Sequence, residues 1–515
     1  MGRRIRWIGL VMVICFALVI VQLVNIQFRR APALASSPNN PRVSSLRFDN
    51  QRGTITATDG TVLAESVKNP AGPYHYKRVY PQGPLFAGIT GYDSIFYGTS
   101  GIEFEYNQYL QDHAQSPQNL SQVLFDKPPS EPDNVMLTVD PTLQAAAMSA
   151  LENAPLTNRD GAVVVLNPTT GAVLALASNP TYDPNGISSP DVPTEETADF
   201  EDSVKDKEGF DGLNPVATEE SFAPGSTFKV VTSTAVYNLD KKLETYSFPE
   251  ASSVIFPDSG GIALHNDGGG DCGGTMALML PQSCDPGYGK LGTLIGVPLE
   301  TEQAQDFGYA IFGAKSQYVA KLDLPGVIPS TFSALLPRAL AFLADSAIGQ
   351  YDDSATALQN ALVAAGIADG GVIMTPHLME QIRDSQGNVV ATYKPTPMLR
   401  AASPSAAESV NKLMQTVAND TVPNATANGI FPISWHVAVK TGTAQAPKSP
   451  TLEQTDDWMI GFMPAVGTPQ VAIAVVVPEQ SFSGTGAGEA GPIVKKVLQA
   501  YLTQIGSPNG IGSAG

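Results

Sequence analysis

The chain has 515 residues, with 30 Lys plus Arg against 49 Asp plus Glu and a formal net charge of −19. A surface this acidic repels phosphate backbones, which argues against a nucleic-acid partner. Three Cys without CxxC spacing and five scattered His without an HExxH pair argue against a zinc enzyme. The length suits about three domains.

The N-terminus carries Arg3, Arg4 and Arg6, an uncharged apolar run from Trp7 to Val24, then Arg29 and Arg30. The run is just long enough to span a bilayer, and the flanking charge orients the N-terminus inward. The competing reading is a cleaved signal peptide, since Ala33-Leu34-Ala35 has the form of a cleavage site. The run exceeds a normal signal core and Arg29-Arg30 interrupt the approach, so an uncleaved anchor is the expectation. Residues 31–45, rich in Pro, Ser and Asn, read as a stalk.

Two alternating runs around Asp59-Gly60 predict a hairpin, and the segment from Ile102 to Leu110 a helix. Residues 113–132 are polar and Pro-containing, so a domain boundary is expected near 133. Asp140-Pro141 reads as an N-cap and first helical residue for a helix over 142–153. Two apolar runs around Asn167–Gly171 predict a second hairpin, buried on both faces. Residues 186–212 read as an acidic surface loop. The middle of the chain, 226–380, is mostly helical in pattern, including 354–366. Strands return at 436–444, 457–466 and 470–479, and an amphipathic helix over 493–502 closes the chain. A hairpin at the start, helices between and strands at the end describe an α+β domain whose antiparallel sheet joins both ends of the segment.

Three short patterns carry chemistry. In Ala223-Pro224-Gly225-Ser226-Thr227-Phe228-Lys229, a loop ends and a helix begins at the serine, so Lys229 shares a helix face with Ser226. A serine needs a neighbouring base to attack, and a buried lysine can supply one. The helix N-terminus aims N–H groups at the same place, which suits an oxyanion. Lys440-Thr441-Gly442-Thr443 ends an apolar strand, placing a cation and hydroxyls at one edge with room left by the glycine. Ser283-Cys284-Asp285 gains weight only from lying between the other two.

The serial order of Ser226-x-x-Lys229, Ser283-x-Asp285 and Lys440-Thr441-Gly442 resembles that of the penicillin-recognising serine enzymes. With its flanks, including the segment 457–465, Ile348-Gly349-Gln350 and the segment 370–378, the chain resembles the class B penicillin-binding proteins, in particular their compact actinobacterial members. The N-terminal segments around Asp59-Gly60 and Gly98–Leu110 are similar to that family's non-catalytic pedestal.

The resemblance implies a cytoplasmic tail over 1–6, a transmembrane anchor over 7–27 and a stalk with a mostly β pedestal (dimerisation) domain over 28–132. A transpeptidase domain over 133–505 and a flexible tail over 506–515 would follow. It implies a membrane-anchored, extracytoplasmic peptidoglycan D,D-transpeptidase acting on stem peptides, acylated by β-lactams and partnered by a SEDS-type glycan polymerase, with no metal or organic cofactor. Ser226 is the implied nucleophile, Lys229 its base, Ser283 a proton relay and Lys440 a tuning charge. The N–H groups of Ser226 and Thr443 are the implied oxyanion hole. Asp285, Thr441, Gly442 and Thr443 are the implied substrate-binding residues, with Thr441 and Thr443 on the terminal carboxylate. A weakly catalytic membrane scaffold and a water-using β-lactamase or carboxypeptidase are the competing readings.

Two residues depart from the family pattern. Asp285 stands where the family has Asn, exchanging a donor-acceptor amide for a carboxylate that only accepts. Asp285 could therefore pair with Lys229 or Lys440, or serve as a helix cap. Asn214-Pro215 stands where the family often carries Arg. Two other patterns are decoys: Asp258-Ser259-Gly260-Gly261 lacks triad partners, and Gly486-x-Gly488-x-x-Gly491 lacks the strand and acidic residue of a dinucleotide fold. Cys272 and Cys284 are the only cysteines beyond the anchor, so a disulfide between them is expected in an exported domain, with two buried thiols as the alternative.

Overall fold

The structure, a computed structural model, describes residues 2–26, 48–111, 131–190, 212–314, 319–334, 339–419, 421–446, 454–481 and 483–507. The expected stalk, nearly all of the linker over 113–132, most of the acidic loop and residues 508–515 of the tail lie outside them.

Helix α1 (Gly2–Val24) opens the chain, and its apolar side chains are exposed, Val13 by 67% and Phe16 by 66%. Among the described residues no helix is long and apolar enough to cross a membrane, the side chains of residues 3–6 and 8 lying outside that set.

Strands β1 (Ile55–Thr56) and β2 (Val62–Lys68) form the hairpin read at Asp59-Gly60. The Thr61 N–H donates to Asp59 Oδ1 at 2.9 Å, and Gly60 takes the positive φ of 87° that the turn needs. Strand β3 (Tyr76–Val79) follows. The helix expected from Ile102 to Leu110 is two short helices, Gly101–Glu105 and Asn107–Leu110. Between them Tyr106 leaves helical geometry and donates its hydroxyl to Asp323 Oδ2 at 2.6 Å, a tertiary bond no local pattern encodes.

Beyond residue 133 come β4 (Asn134–Leu137), α2 (Pro141–Glu152), β5 (Gly161–Leu166) and β6 (Val173–Asn179). The expected cap holds: Asp140 Oδ1 accepts from the N–H groups of Thr142 and Leu143 at 2.8 and 3.1 Å. Helices α3 (Lys229–Asn238), α4 (Asp285–Ile295) and α5 (Ala357–Ala368) fill the middle, followed by β7 (Met379–Arg383) and β8 (Val389–Thr392). The chain closes with β9 (Ala438–Gln445), β10 (Gln454–Met463), β11 (Val471–Ser481) and α6 (Ala490–Gln504).

Two sheets result. One runs β9-β10-β11-β5-β6, every neighbouring pair antiparallel, so the first hairpin of this region joins the last three strands as expected. Helix α5 packs against this sheet apart from α2 and α6, which pack on each other and on the sheet. Covered in this way, Val163, Val164, Val475 and Val476 are fully buried, each worth about 1.5–3 kcal/mol relative to exposure. The second sheet runs β8-β7-β4-β1-β2-β3. In it β4 pairs parallel with β1 and antiparallel with β7, so strands on either side of residue 133 share one ladder. Through this sheet the N-terminal region pairs with strands from beyond residue 133.

Candidate active site

Ser226 lies in a tight turn, Gly225–Phe228, that leads into α3. Gly225 has φ 54°, and a Cβ there would sit 2.9 Å from Thr443 O. A Cβ on Gly349 would sit 2.2 Å from Gly225 O. Glycine at both positions therefore lets the serine turn lie between β9 and the 348–350 segment. Three hydrogen bonds hold it there. Gly225 N–H donates to Gly349 O at 2.9 Å, Trp458 Nε1 to Ala223 O at 2.9 Å, and Asn360 Nδ2 of α5 to Thr227 Oγ1 at 3.2 Å.

Both motif lysines are fully buried, and both reach Ser283. Lys229 Nζ donates to Ser283 O at 2.6 Å and to its Oγ at 3.3 Å. Lys440 Nζ donates to Ser283 Oγ at 2.8 Å and to Thr441 O at 2.7 Å. Ser283 can face both because it takes a left-handed conformation, φ 56°. For a residue with a Cβ that geometry costs on the order of 1–3 kcal/mol and persists only when the surroundings hold it. The cross-link beside it is one such restraint: Cys272 and Cys284 are disulfide-bonded, their Cα atoms 5.6 Å apart.

Asp285 pairs with Lys229, Oδ1 to Nζ 2.7 Å, rather than with Lys440. Its Oδ2 accepts from Asp267 N–H at 2.9 Å, and its own N–H donates to Asn266 Oδ1 at 3.0 Å. Asp285 is therefore not the N-cap of α4. It is the first helical residue, preceded by Cys284, and its side chain is spent on Lys229.

Burial lowers the pKa of Lys229, and the Asp285 carboxylate works against that shift. Burial pushes Lys440 further down, Lys229 adding repulsion while Asp285 and Asp267 oppose. Two buried amines converge on the partly buried Ser283 hydroxyl, and the Asp285 carboxylate pairs with one of them, so proton transfer between the amines through Ser283 requires little rearrangement. The expected contact between Lys229 and the Ser226 hydroxyl is absent here: no hydrogen bond joins them, and Lys229 is engaged by Ser283 and Asp285 instead.

The remaining predicted residues line β9. The Thr441 and Thr426 hydroxyls are 2.8 Å apart, Thr443 Oγ1 accepts from Gly486 N–H at 3.2 Å, and Gly442 lies against Pro224 and Trp458. The glycine-rich segment 486–491 therefore packs on the Lys440–Thr443 strand, not on a dinucleotide. Asp258–Gly261 is a turn between two short strands. Asn266, Asp267 and Thr426 belong to the site and escaped the sequence reading. The composition of Asn266-Asp267-Gly268 is that of a turn, which does not by itself point to Asp285. Among the described residues no group of three or more His, Cys, Asp or Glu could hold a metal ion.

Residues 161–499 match the penicillin-binding protein transpeptidase domain, and residues 52–131 the penicillin-binding protein A dimerisation domain. The chain is 32% identical to the peptidoglycan D,D-transpeptidase PbpA of Mycolicibacterium smegmatis over 98% of this chain and 100% of that one. It is 31% identical to PbpA of Mycobacterium tuberculosis, covering 98% and 99%. Among structures it is similar to penicillin-binding protein A from M. tuberculosis in its ceftriaxone acyl-enzyme complex, with TM-score 0.75, 31% identity and coverage of 88% and 99%. The penicillin G acyl-enzyme complex of that protein gives TM-score 0.74, 31% identity and coverage of 88% and 100%.

Proposed function

The chain belongs to the class B penicillin-binding protein family, and on that premise we propose that it is a peptidoglycan D,D-transpeptidase, cross-linking stem peptides in cell-wall synthesis and acylated by β-lactams. The observation that carries the mechanism is the convergence of Lys229 and Lys440 on Ser283 beside the Ser226 turn.

In the proposed sequence, Lys229 in its neutral form takes the Ser226 proton, and Ser226 attacks the carbonyl of the penultimate D-alanine. The N–H groups of Ser226 and Thr443 receive the oxyanion. The hydroxyls of Thr441 and Thr443 hold the terminal carboxylate. Ser283, between the two amines, passes a proton to the departing D-alanine. An amine of a second stem peptide then attacks the acyl-enzyme, forming the cross-link and regenerating Ser226.

Acylation by a fluorescent penicillin tests this. The wild-type chain acquires one covalent adduct by intact-protein mass spectrometry, and Ser226→Ala acquires none. An adduct on Ser226→Ala overturns the assignment.

The proposal extends to location. The uncharged run Trp7–Val24 behind three arginines, and the exposed apolar side chains of α1, support a single-pass anchor with the N-terminus inside and the catalytic body outside. A glycan polymerase in the same membrane is the proposed partner, the N-terminal region being coupled to the catalytic body through the β4 ladder. Deleting residues 1–27 is expected to move the protein from the membrane fraction to the soluble one.

A further inference from the structure

On β10, next to the motif strand, Asp457 is the register partner of Thr443. Directly paired residues on neighbouring antiparallel strands project from the same face of the sheet. Asp457 is fully buried, and its Oδ1 has no hydrogen-bond partner. Its Oδ2 receives one long hydrogen bond, from Thr455 Oγ1 at 3.4 Å. The turn before α6 closes over it: a Cβ on Gly484 would stand 2.6 Å from Asp457 Oδ2. The same turn supplies Gly486, whose N–H binds the Thr443 hydroxyl oxygen. A wholly buried carboxyl with an unsatisfied oxygen beside a substrate-binding hydroxyl is an expensive arrangement for structure alone.

We propose that Asp457 is a positioning residue: as a neutral acid it leaves the Thr443 proton free to bind the donor's terminal carboxylate, and on ionising it withdraws that proton and weakens acylation. The proposal rests on the transpeptidase reading of Thr443. Its chemistry is a count of protons. Thr443 Oγ1 already accepts from Gly486, so it has one proton to donate. A neutral carboxyl does not compete strongly for it. An ionised one accepts only, captures it, and presents lone pairs and a negative charge toward an incoming carboxylate.

The surroundings set where the switch lies. Burial first, then the carboxylates of Glu489 and Asp456, raise Asp457 to about 8, with Thr455 and Thr443 opposing. Asp456 is on the same strand and Glu489 on the turn before α6. On β9 the charged residue is Lys440, whose amine is bound to Ser283. On β11 the register partner is the apolar Val477.

The test is the second-order rate of acylation by penicillin G, measured from pH 6 to 9.5 on the full chain in detergent. In the wild type the rate rises as the lysines lose protons and then bends down as Asp457 ionises. Asp457→Asn removes the downward bend and exceeds the wild type by about tenfold one pH unit above the transition. Glu489→Gln, less buried and milder for folding, removes a repelling charge and moves the bend to lower pH. Asp457→Asn and Glu489→Gln profiles that both superimpose on the wild type overturn the proposal. A wild type that is not acylated at any pH overturns the transpeptidase reading instead.

Discussion

Two buried clusters in this molecule each gather two basic side chains near a carboxylate, the N-terminal one with a second carboxylate, Asp93, 3.6 Å from Arg52 Nε. In the N-terminal region Arg52 Nε and Arg78 Nε each lie 2.6 Å from a different oxygen of Glu103. Arg52 also donates to Glu103 O and Asn107 Oδ1, Arg78 to Gly53 O, and Tyr80 to Glu103 Oε1. Burial by itself would raise Glu103, yet the two guanidinium groups hold it below its usual value. In the catalytic body the carboxylate of Asp285 has one lysine, Lys229, while Lys440 turns to Ser283. Burial there pushes both amines down, Lys440 further than Lys229, so each holds its proton less firmly than a free lysine. An arginine fork keeps its charge at any working pH and fixes geometry. A buried lysine can give its proton away. The first cluster is built to stay ionised, and the second to change state.

The largest effect separates the two by readout. Lys229→Ala is expected to lower the β-lactam acylation rate by on the order of 10³-fold because it removes the proposed base; the protein stays folded at reduced stability, since Asp285 loses its lysine but keeps the Asp267 N–H. Stopped-flow acylation alongside a urea titration measures both. An acylation rate within threefold of wild type would show that another group takes the Ser226 proton.

Glu103→Gln inverts that pattern. Losing the shared carboxylate leaves the buried Arg78 without a carboxylate and Arg52 with only the longer Asp93 contact, which costs about 3–5 kcal/mol of stability. The urea midpoint falls, while acylation of the still-folded fraction is unchanged. Equal stabilities would mean that the cluster is accessible to water in solution.

Asp285→Asn sharpens the contrast within the catalytic cluster. Removing the carboxylate removes the interaction that favours protonated Lys229, so its pKa falls further and more neutral base is present. Acylation at neutral pH is expected to be unchanged or faster, by up to about tenfold. A large fall in rate would give the carboxylate a positive role, such as holding Ser283 in place.

The smallest effect is the acid response of the N-terminal cluster. The folded pKa of Glu103 lies below the usual 4.5. Its contribution to stability is therefore complete above pH 4.5 and is lost as pH falls through the lower folded value. The stability gap between wild type and Glu103→Gln narrows only in that acid range, as urea midpoints at pH 7 and pH 3 would show. A gap that already narrows between pH 7 and 5 would contradict the lowered value.

Legibility tracks sequence distance. Ser226 and Lys229 were readable as a pair because they lie three residues apart at the start of a helix, although their side chains share no hydrogen bond, and Lys440-Thr441-Gly442 because it is contiguous on an apolar strand. Ser283 and Asp285 were readable only from their order between those two. Nothing local shows that Ser283 bends to φ 56° or that its hydroxyl meets an amine 157 residues later. The Arg52–Glu103 bond spans 51 residues and the Arg78–Glu103 bond 25, each residue looking like ordinary surface charge in its own segment. Asp457 was invisible for the same reason, since its meaning depends on the register of β10 against β9.

The amino-acid order by itself determined what depends on neighbours along the chain. It determined the caps and turns, the apolar periods of the five-stranded sheet, the helices between, and which residue types could attack, hold a proton or bind a carboxylate. Tertiary structure decided which of those groups meet and in what charge state. It gave Asp285 to Lys229 rather than to a helix cap, joined Cys272 to Cys284, laid β4 beside β1, and buried both lysines. Charge states follow from this, because a pKa responds to desolvation and to the nearest opposite charge, and both are properties of the folded neighbourhood rather than of the residue.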